Sequence, residues 1–271
     1  MHKVVVGIPT LNNPKMLESC LSSIYSTHDM YKKIGVKVIV LDDFSSEENL
    51  ELNKKICAKY GLDLLMHEKN YGVAVAWNNL SNHTESEIVI LLNDDVRVTH
   101  NWIDTIIYTL DNNPEIGVVG LNAYESENSE LPPNNVPSYV ESKILLGGNL
   151  HPILSAKGYA FAFRKSDFKK IGGFDHSYFC FFEEVDFNLR TMKILGKRNC
   201  MLSYPIIFHS GGATTFQSLK DHKEIFNKSK DFFEKKWGFK WENIRNFFDN
   251  KSIPQINTSL NEWNSNFNVW G

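Results

Sequence analysis

Apolar and polar positions along the chain repeat in one order: a short apolar run, a polar turn, then a stretch in which apolar side chains return every three to four positions. Val4, Val5, Val6 and Ile8 predict a buried strand that ends on Pro9, Thr10, Leu11, Asn12 and Asn13. Asn13 is placed to cap a helix, Pro14 suits its first position, and Leu17, Leu21 and Ile24 form its apolar stripe. The unit repeats. Residues 36–41 predict a second strand and Asp42 to Ser46 its turn, where Ser45 and Glu48 have the spacing of a capping box. That helix ends near Gly61; residues 62–66 predict a third strand, and Asn70, Tyr71 and Gly72 turn the chain into a helix over 73–80. The fourth strand, 88–92, is apolar at all five positions, the signature of burial on both faces.

Strands alternating with helices at this spacing imply βαβ crossovers and a mostly parallel sheet. In such sheets ligands bind outside the carboxyl ends of the strands, and there the fourth strand delivers Asn93, Asp94 and Asp95. Carboxylate oxygens are hard ligands that suit Mg²⁺ or Mn²⁺ bridged to phosphates. Neither the dinucleotide fingerprint nor the P-loop is present, so no glycine cradle accounts for phosphate binding.

The second half changes character. A helix is expected over 102–110, a strand over 116–120, an excursion loop over 122–138 and an aromatic strand over 159–163. A short helix over 166–171 ends on Gly172 and Gly173, and Tyr178 to Phe182 lead into Glu183 and Glu184. Val185, Leu189 and Met192 make the stripe of a helix closing at Gly196, and three carboxylates in its first turn also suit the helix dipole. Residues 206–209 predict a strand ending on His209, followed by Gly211 and Gly212, and a helix is expected over 219–237.

Composition narrows the classes. A hydrophobic content of 42% supports a packed core, while a formal charge of −3 with no basic block argues against nucleic-acid binding. Cys20, Cys57, Cys180 and Cys200 are scattered, as reduced cytoplasmic thiols are. No apolar run approaches the roughly 18 residues of a membrane span, which leaves peripheral membrane contact open.

In this order the pieces resemble the inverting family-2 glycosyltransferases of the GT-A fold. The matching elements are Pro9-Thr10-Leu11-Asn12, Asp42 to Ser46, Asn70-x-Gly72, Asn93-Asp94-Asp95, Gly172-Gly173-Phe174-Asp175, Glu183-Glu184-x-Asp186 with Arg190, and His209-x-Gly211-Gly212. The likeness looks strongest to bacterial rhamnosyl- and related transferases of polysaccharide assembly. It implies an α/β GT-A fold with a Rossmann-like central sheet over 1–216, nucleotide-sugar half 1–121 and acceptor half 122–216, plus a C-terminal helix and tail over 217–271 on the same domain.

The resemblance also implies roles. Pro9, Thr10, Asn12, Asp43, Asn70, Gly72 and Asp94 would contact the nucleotide of a UDP-, dTDP- or GDP-linked sugar. Asp95 and His209 would hold Mn²⁺ or Mg²⁺, and Glu184 would take the proton of a glycan or glycolipid hydroxyl. Glu183, Asp186 and Arg190 would support the acceptor side, with Glu183 and Asp186 as rivals for the base. Two departures stand out. Glu184 occupies a position commonly Asp, extending the arm by about 1.5 Å, one C–C bond. Asn93 stands where an Asp often begins the metal motif, keeping an oxygen donor without its charge. A binding module without activity and a metal-dependent nucleotidyltransferase are the competing readings; the second calls for a Lys/Arg clamp, and these loops are poor in both residues.

Overall fold

A computed structural model describes residues 2–27, 35–83, 85–125, 150–210 and 221–245. The first half follows the predicted units: β1 (His2–Thr10), α1 (Pro14–Ser26), β2 (Val36–Asp42), α2 (Glu47–Tyr60), β3 (Asp63–Met66), α3 (Val73–Asn82) and β4 (Ser86–Leu92). After β5 (Val96–Arg97) come α4 (Trp102–Asn112), β6 (Ile116–Glu125), β7 (Leu150–Ile153), β8 (Ala160–Arg164), α5 (Lys165–Ile171), α6 (Glu183–Leu195), β9 (Arg198–His209) and α7 (His222–Trp237), then a 3₁₀ turn, Trp241–Asn243.

The strands form one sheet in the order β3-β2-β1-β4-β8-β6-β9-β5, with β7 paired to β9. β1 to β4 are mutually parallel, β8 runs antiparallel to both β4 and β6, and β9 returns parallel to β6. Reversing β8 sets its first residue, Ala160, opposite Leu92 at the carboxyl end of β4. Running β9 parallel to β6 carries His209 to the same end, where it pairs with Val96. The carboxyl ends of β1 to β4, the start of β8 and His209 therefore share one rim.

Alternation along the strands separates two cores. Val4, Val6, Ile8, Ile88, Ile90 and Leu92 face α1 and α4 on one side, packing with Leu17, Leu21, Trp102 and Ile106. Val5, Ile39, Leu41, Val89 and Leu91 face α3, α5 and α6 on the other, against Trp77, Phe168, Phe174 and Phe187. A third cluster joins α6 to α7 through Tyr178, Phe182, Leu189 and Phe233.

Several expected boundaries shift for local reasons. Ser46, not Ser45, caps α2, accepting from Asn49 N at 3.4 Å, because Ser45 is drawn back into the turn by its N–H bond to Asp42 Oδ1 at 2.7 Å. β6 continues to Glu125, four residues into the expected excursion loop, because β9 pairs with it as far as His209. The rest of that loop, Gly211, Gly212, residues 219–220 and the tail beyond 245 lie outside the described residues. Among the described residues no helix is long and apolar enough to cross a membrane.

Candidate active site

The turns after β1, β2, β3 and β4 meet around a pocket of about 90 Å³. Six of the seven residues expected to bind a nucleotide line it: Pro9, Thr10, Asp43, Asn70, Gly72 and Asp94, joined by Leu11, Val73, Phe179 and Cys180. Hydrogen bonds lock the turns to one another. Asp43 N donates to Thr10 O at 2.9 Å, and the Asp43 carboxylate accepts from Tyr71 N and Gly72 N, each at 3.1 Å, and from His67 Nδ1 at 2.6 Å. His67 Nε2 in turn accepts from Asn79 Nδ2 at 2.7 Å, which places the ring proton on Nδ1.

Gly72 is required by geometry. Its φ of 87° is left-handed, and a Cβ there would stand 2.2 Å from Phe179 O. The seventh residue, Asn12, turns away from the pocket. With φ 54°, its Oδ1 accepts from Ser46 N at 2.7 Å and Asn49 Nδ2 at 3.1 Å, so it ties the first turn to the start of α2.

At the far wall Asp94 is buried, and its Oδ2 accepts from Thr10 Oγ1 at 2.7 Å. Asp95 points elsewhere: its Oδ2 lies 3.5 Å from His209 Nε2. Among the described residues, Asp95 Oδ1 and His209 Nδ1 are buried without a hydrogen-bond partner. The Tyr159 ring covers the imidazole at 4.5 Å, and Tyr159 O accepts from Asn93 N at 2.8 Å.

The glutamate pair enters at the N-terminus of α6. Both side chains are buried, and among the described residues Glu183 Oε2 has no hydrogen-bond partner. Burial pushes Glu184 up to about 7, against bonds from its own N–H and that of Val185; burial and then the neighbouring Glu184 push Glu183 well above the carboxylate range. A Cβ built on Gly158 would lie 3.7 Å from Glu184 Cδ, so the carboxyl packs against the backbone that leads directly to Tyr159. Asp186 is committed elsewhere: fully buried, it binds Arg190 Nε at 2.7 Å, Lys236 Nζ at 2.7 Å and Trp237 Nε1 at 3.0 Å. Arg190 donates also to Ile171 O at 2.8 Å. The four cysteines are free thiols, and burial followed by the nearby carboxyls raises those of Cys20 and Cys180 well above their usual range.

This arrangement was compared with known proteins. The model of the family described as "Glycosyl transferase family 2" matches residues 5–181, about two thirds of the chain. The chain belongs to glycosyl transferase family 2. Its fold is the GT-A scaffold. Among solved structures, similarity extends to a mannosyltransferase from Pyrobaculum calidifontis in complex with GDP-Man and Mn²⁺, at 18% identity and TM-score 0.58 over 82% of this chain and 60% of that one. GalNAc-T7 with UDP, GalNAc and Mn²⁺ matches at 15% identity and TM-score 0.62, over 77% and 43%. TarS 1-349 of S. aureus in complex with UDP-GlcNAc matches at 16% and 0.59, over 82% and 64%. The chain spans less than two thirds of each of these three proteins, and at such identity the likeness concerns the fold. No curated protein matches the chain.

The family match ends at Phe181, within the turn into α6, so the glutamate pair of this family-2 chain lies beyond it. His67, Trp77 and Trp237 were missed from sequence. His67 had a usable signal, a polar ring at the carboxyl end of β3; Trp237, some 50 residues from Asp186, had none.

Proposed function

We propose that this family-2 transferase moves a sugar from a nucleoside-diphosphate sugar to a hydroxyl of a glycan or glycolipid in one inverting displacement. The observation that supports this most is convergence on one rim: a pocket built from four strand-end turns, a carboxylate–imidazole pair with orphaned atoms, and a buried glutamate whose protonation is tuned near neutrality. The ligands named in the similar structures support that class: GDP-Man and UDP-GlcNAc are nucleoside-diphosphate sugars, and UDP is the nucleoside diphosphate such a donor leaves.

Asp43, Asn70 and Gly72 form the nucleoside end of the pocket, and Thr10 orients Asp94 across it. Asp95 and His209 fit a divalent cation. Among the described residues each presents a buried atom with no protein partner, and donor phosphates and water would complete the shell. Mn²⁺ or Mg²⁺ bound there would neutralise charge on the departing diphosphate. Glu184 accepts the proton of the acceptor hydroxyl as that oxygen attacks the anomeric carbon opposite the nucleotide. A base near 7 combines a usable ionised fraction with a strong pull on the proton. The raised Cys20 and Cys180 thiols stay protonated, which fits a single displacement better than attack by an enzyme thiolate.

The test is product analysis with Glu184→Gln. Transfer falls about 10² to 10⁴-fold, nucleotide binding persists, and the wild type releases nucleoside diphosphate. Pyrophosphate release, or wild-type rates in the variant, contradicts the reading.

A further inference from the structure

Phe181 and Phe182, immediately before the glutamate pair, both have φ of 69°. Left-handed backbone crowds the Cβ of any L-residue, and two bulky aromatics in succession hold it only where surrounding contacts overdetermine the turn. Those contacts come from α7 and the 3₁₀ turn behind it. The Phe226 ring lies 5.4 Å from each of the two rings, and Phe182 also meets Phe233 at 5.2 Å and Trp241 at 4.9 Å. Ser229 Oγ donates to Cys180 O at 2.7 Å and fixes the carbonyl that enters the turn.

The far end of α7 grips α6 itself. Trp237 Nε1 and Lys236 Nζ share Asp186 Oδ1, and Lys236 reaches Asp175 Oδ2 at 2.7 Å. Asp186 N closes the first turn of α6 on Phe182 O at 2.9 Å. On the opposite side Phe179 O accepts from Val73 N at 2.8 Å, at the start of α3 beside the donor pocket. The segment from Phe179 to Glu184 is thus pinned on the donor side by α3 and on the outer side by α7.

We infer that α7 is a clamp that sets where the Glu183–Glu184 pair stands, with Phe226 and Trp237 as positioning residues for transfer and not for donor binding. The inference rests on the reading of Glu184 as base. Releasing the turn at Phe181 and Phe182 would rotate the first turn of α6 and carry the carboxyls away, while the β1 to β4 turns of the donor pocket keep their own hydrogen bonds and Phe179, on its wall, stays tied to Val73 N. A helix that merely covered an apolar face would behave differently. Its disruption would lower thermal stability, donor binding and turnover together.

The experiment compares Phe226→Ala, Phe226→Tyr and Trp237→Phe in full-length protein, each alone and combined with Glu184→Gln. Phe226→Ala should lower kcat about 10 to 100-fold with donor KM changed less than about twofold, and should move the acid limb of the kcat–pH profile. Phe226→Tyr, which keeps the ring, should restore the rate. Trp237→Phe should act in the same direction but less. In the Glu184→Gln background Phe226→Ala should add nothing. Wild-type kcat in folded Phe226→Ala overturns the clamp, as does loss of kcat and donor binding in step. If Phe226→Ala fails to fold, Trp237→Phe is judged by the same criteria. Wild-type transfer by Glu184→Gln alone would sink the base assignment. An undiminished Phe226→Ala effect in that background would sink the clamp as a device acting through Glu184.

Discussion

The donor side and the base side of this rim are held in opposite ways. Around the donor pocket, the carboxylates of Asp43 and Asp94 accept hydrogen bonds from neighbouring turns, that of Asp42 accepts from its own turn and from Asn53 of α2, and the tight turn at Gly72 uses the one residue type that suits it. Around the base, two aromatics hold left-handed backbone at a cost of about 1 to 3 kcal/mol each, and two carboxyls are buried side by side. The first region is stabilised by its own local bonding. The second is held by a distant helix. A nucleotide needs a fixed, satisfied cradle, whereas a base needs a carboxyl denied its ordinary solvation.

The sharpest break of the donor side is Gly72→Ala. Its methyl would meet Phe179 O and its φ would be unfavourable, so unfolding free energy should fall by about 2 to 5 kcal/mol, read by denaturant titration. Thr10→Val leaves Asp94 Oδ2 without its hydroxyl donor and should cost about 1.5 to 3 kcal/mol by the same method, with weaker nucleotide binding. Asn12→Ala, which removes only the tie to α2, should cost about 1 kcal/mol and spare nucleotide affinity.

The base side is tested by pH, at about 1.4 kcal/mol per unit. As the proposed base Glu184 would work ionised, and its folded value is raised to about 7, so kcat should fall toward tenfold per unit below that value. Stability runs the other way. The folded state binds protons on Glu183 and Glu184 that the unfolded chain has released above its ordinary carboxyl range, so their contribution is full at acid pH and is lost as pH rises through the folded values. Glu184→Gln should flatten both dependences. A kcat profile level through pH 5 to 8 would contradict the tuned-base account.

The same contrast explains what was legible in the sequence. β1 to β4 and their turns could be read because period, caps and strand-end polar residues are local signals, and Val4 through Asp95 carry them in unbroken order. The side-chain bonds of Asn12 to Ser46 and Asn49 could not be read, because they reach into the next unit. Ser45 misled because Asp42 competes for it. The antiparallel insertion of β8 and the clamping of Phe181 and Phe182 by Phe226 depend on contacts between distant segments, and aromatic residues give no sequence signal for a positive φ.

The most direct test is thermal unfolding with UDP, GDP and dTDP, with and without Mn²⁺, for the wild type and Asp95→Ala. Because a ligand that binds only the folded state raises its apparent stability, one nucleotide should raise the wild-type Tm strongly only when Mn²⁺ is present, and the metal-dependent part should vanish in Asp95→Ala. Equal stabilisation without metal, or an undiminished Mn²⁺ effect in Asp95→Ala, would contradict the assignment of Asp95 and His209 to a cation that bridges the donor diphosphate.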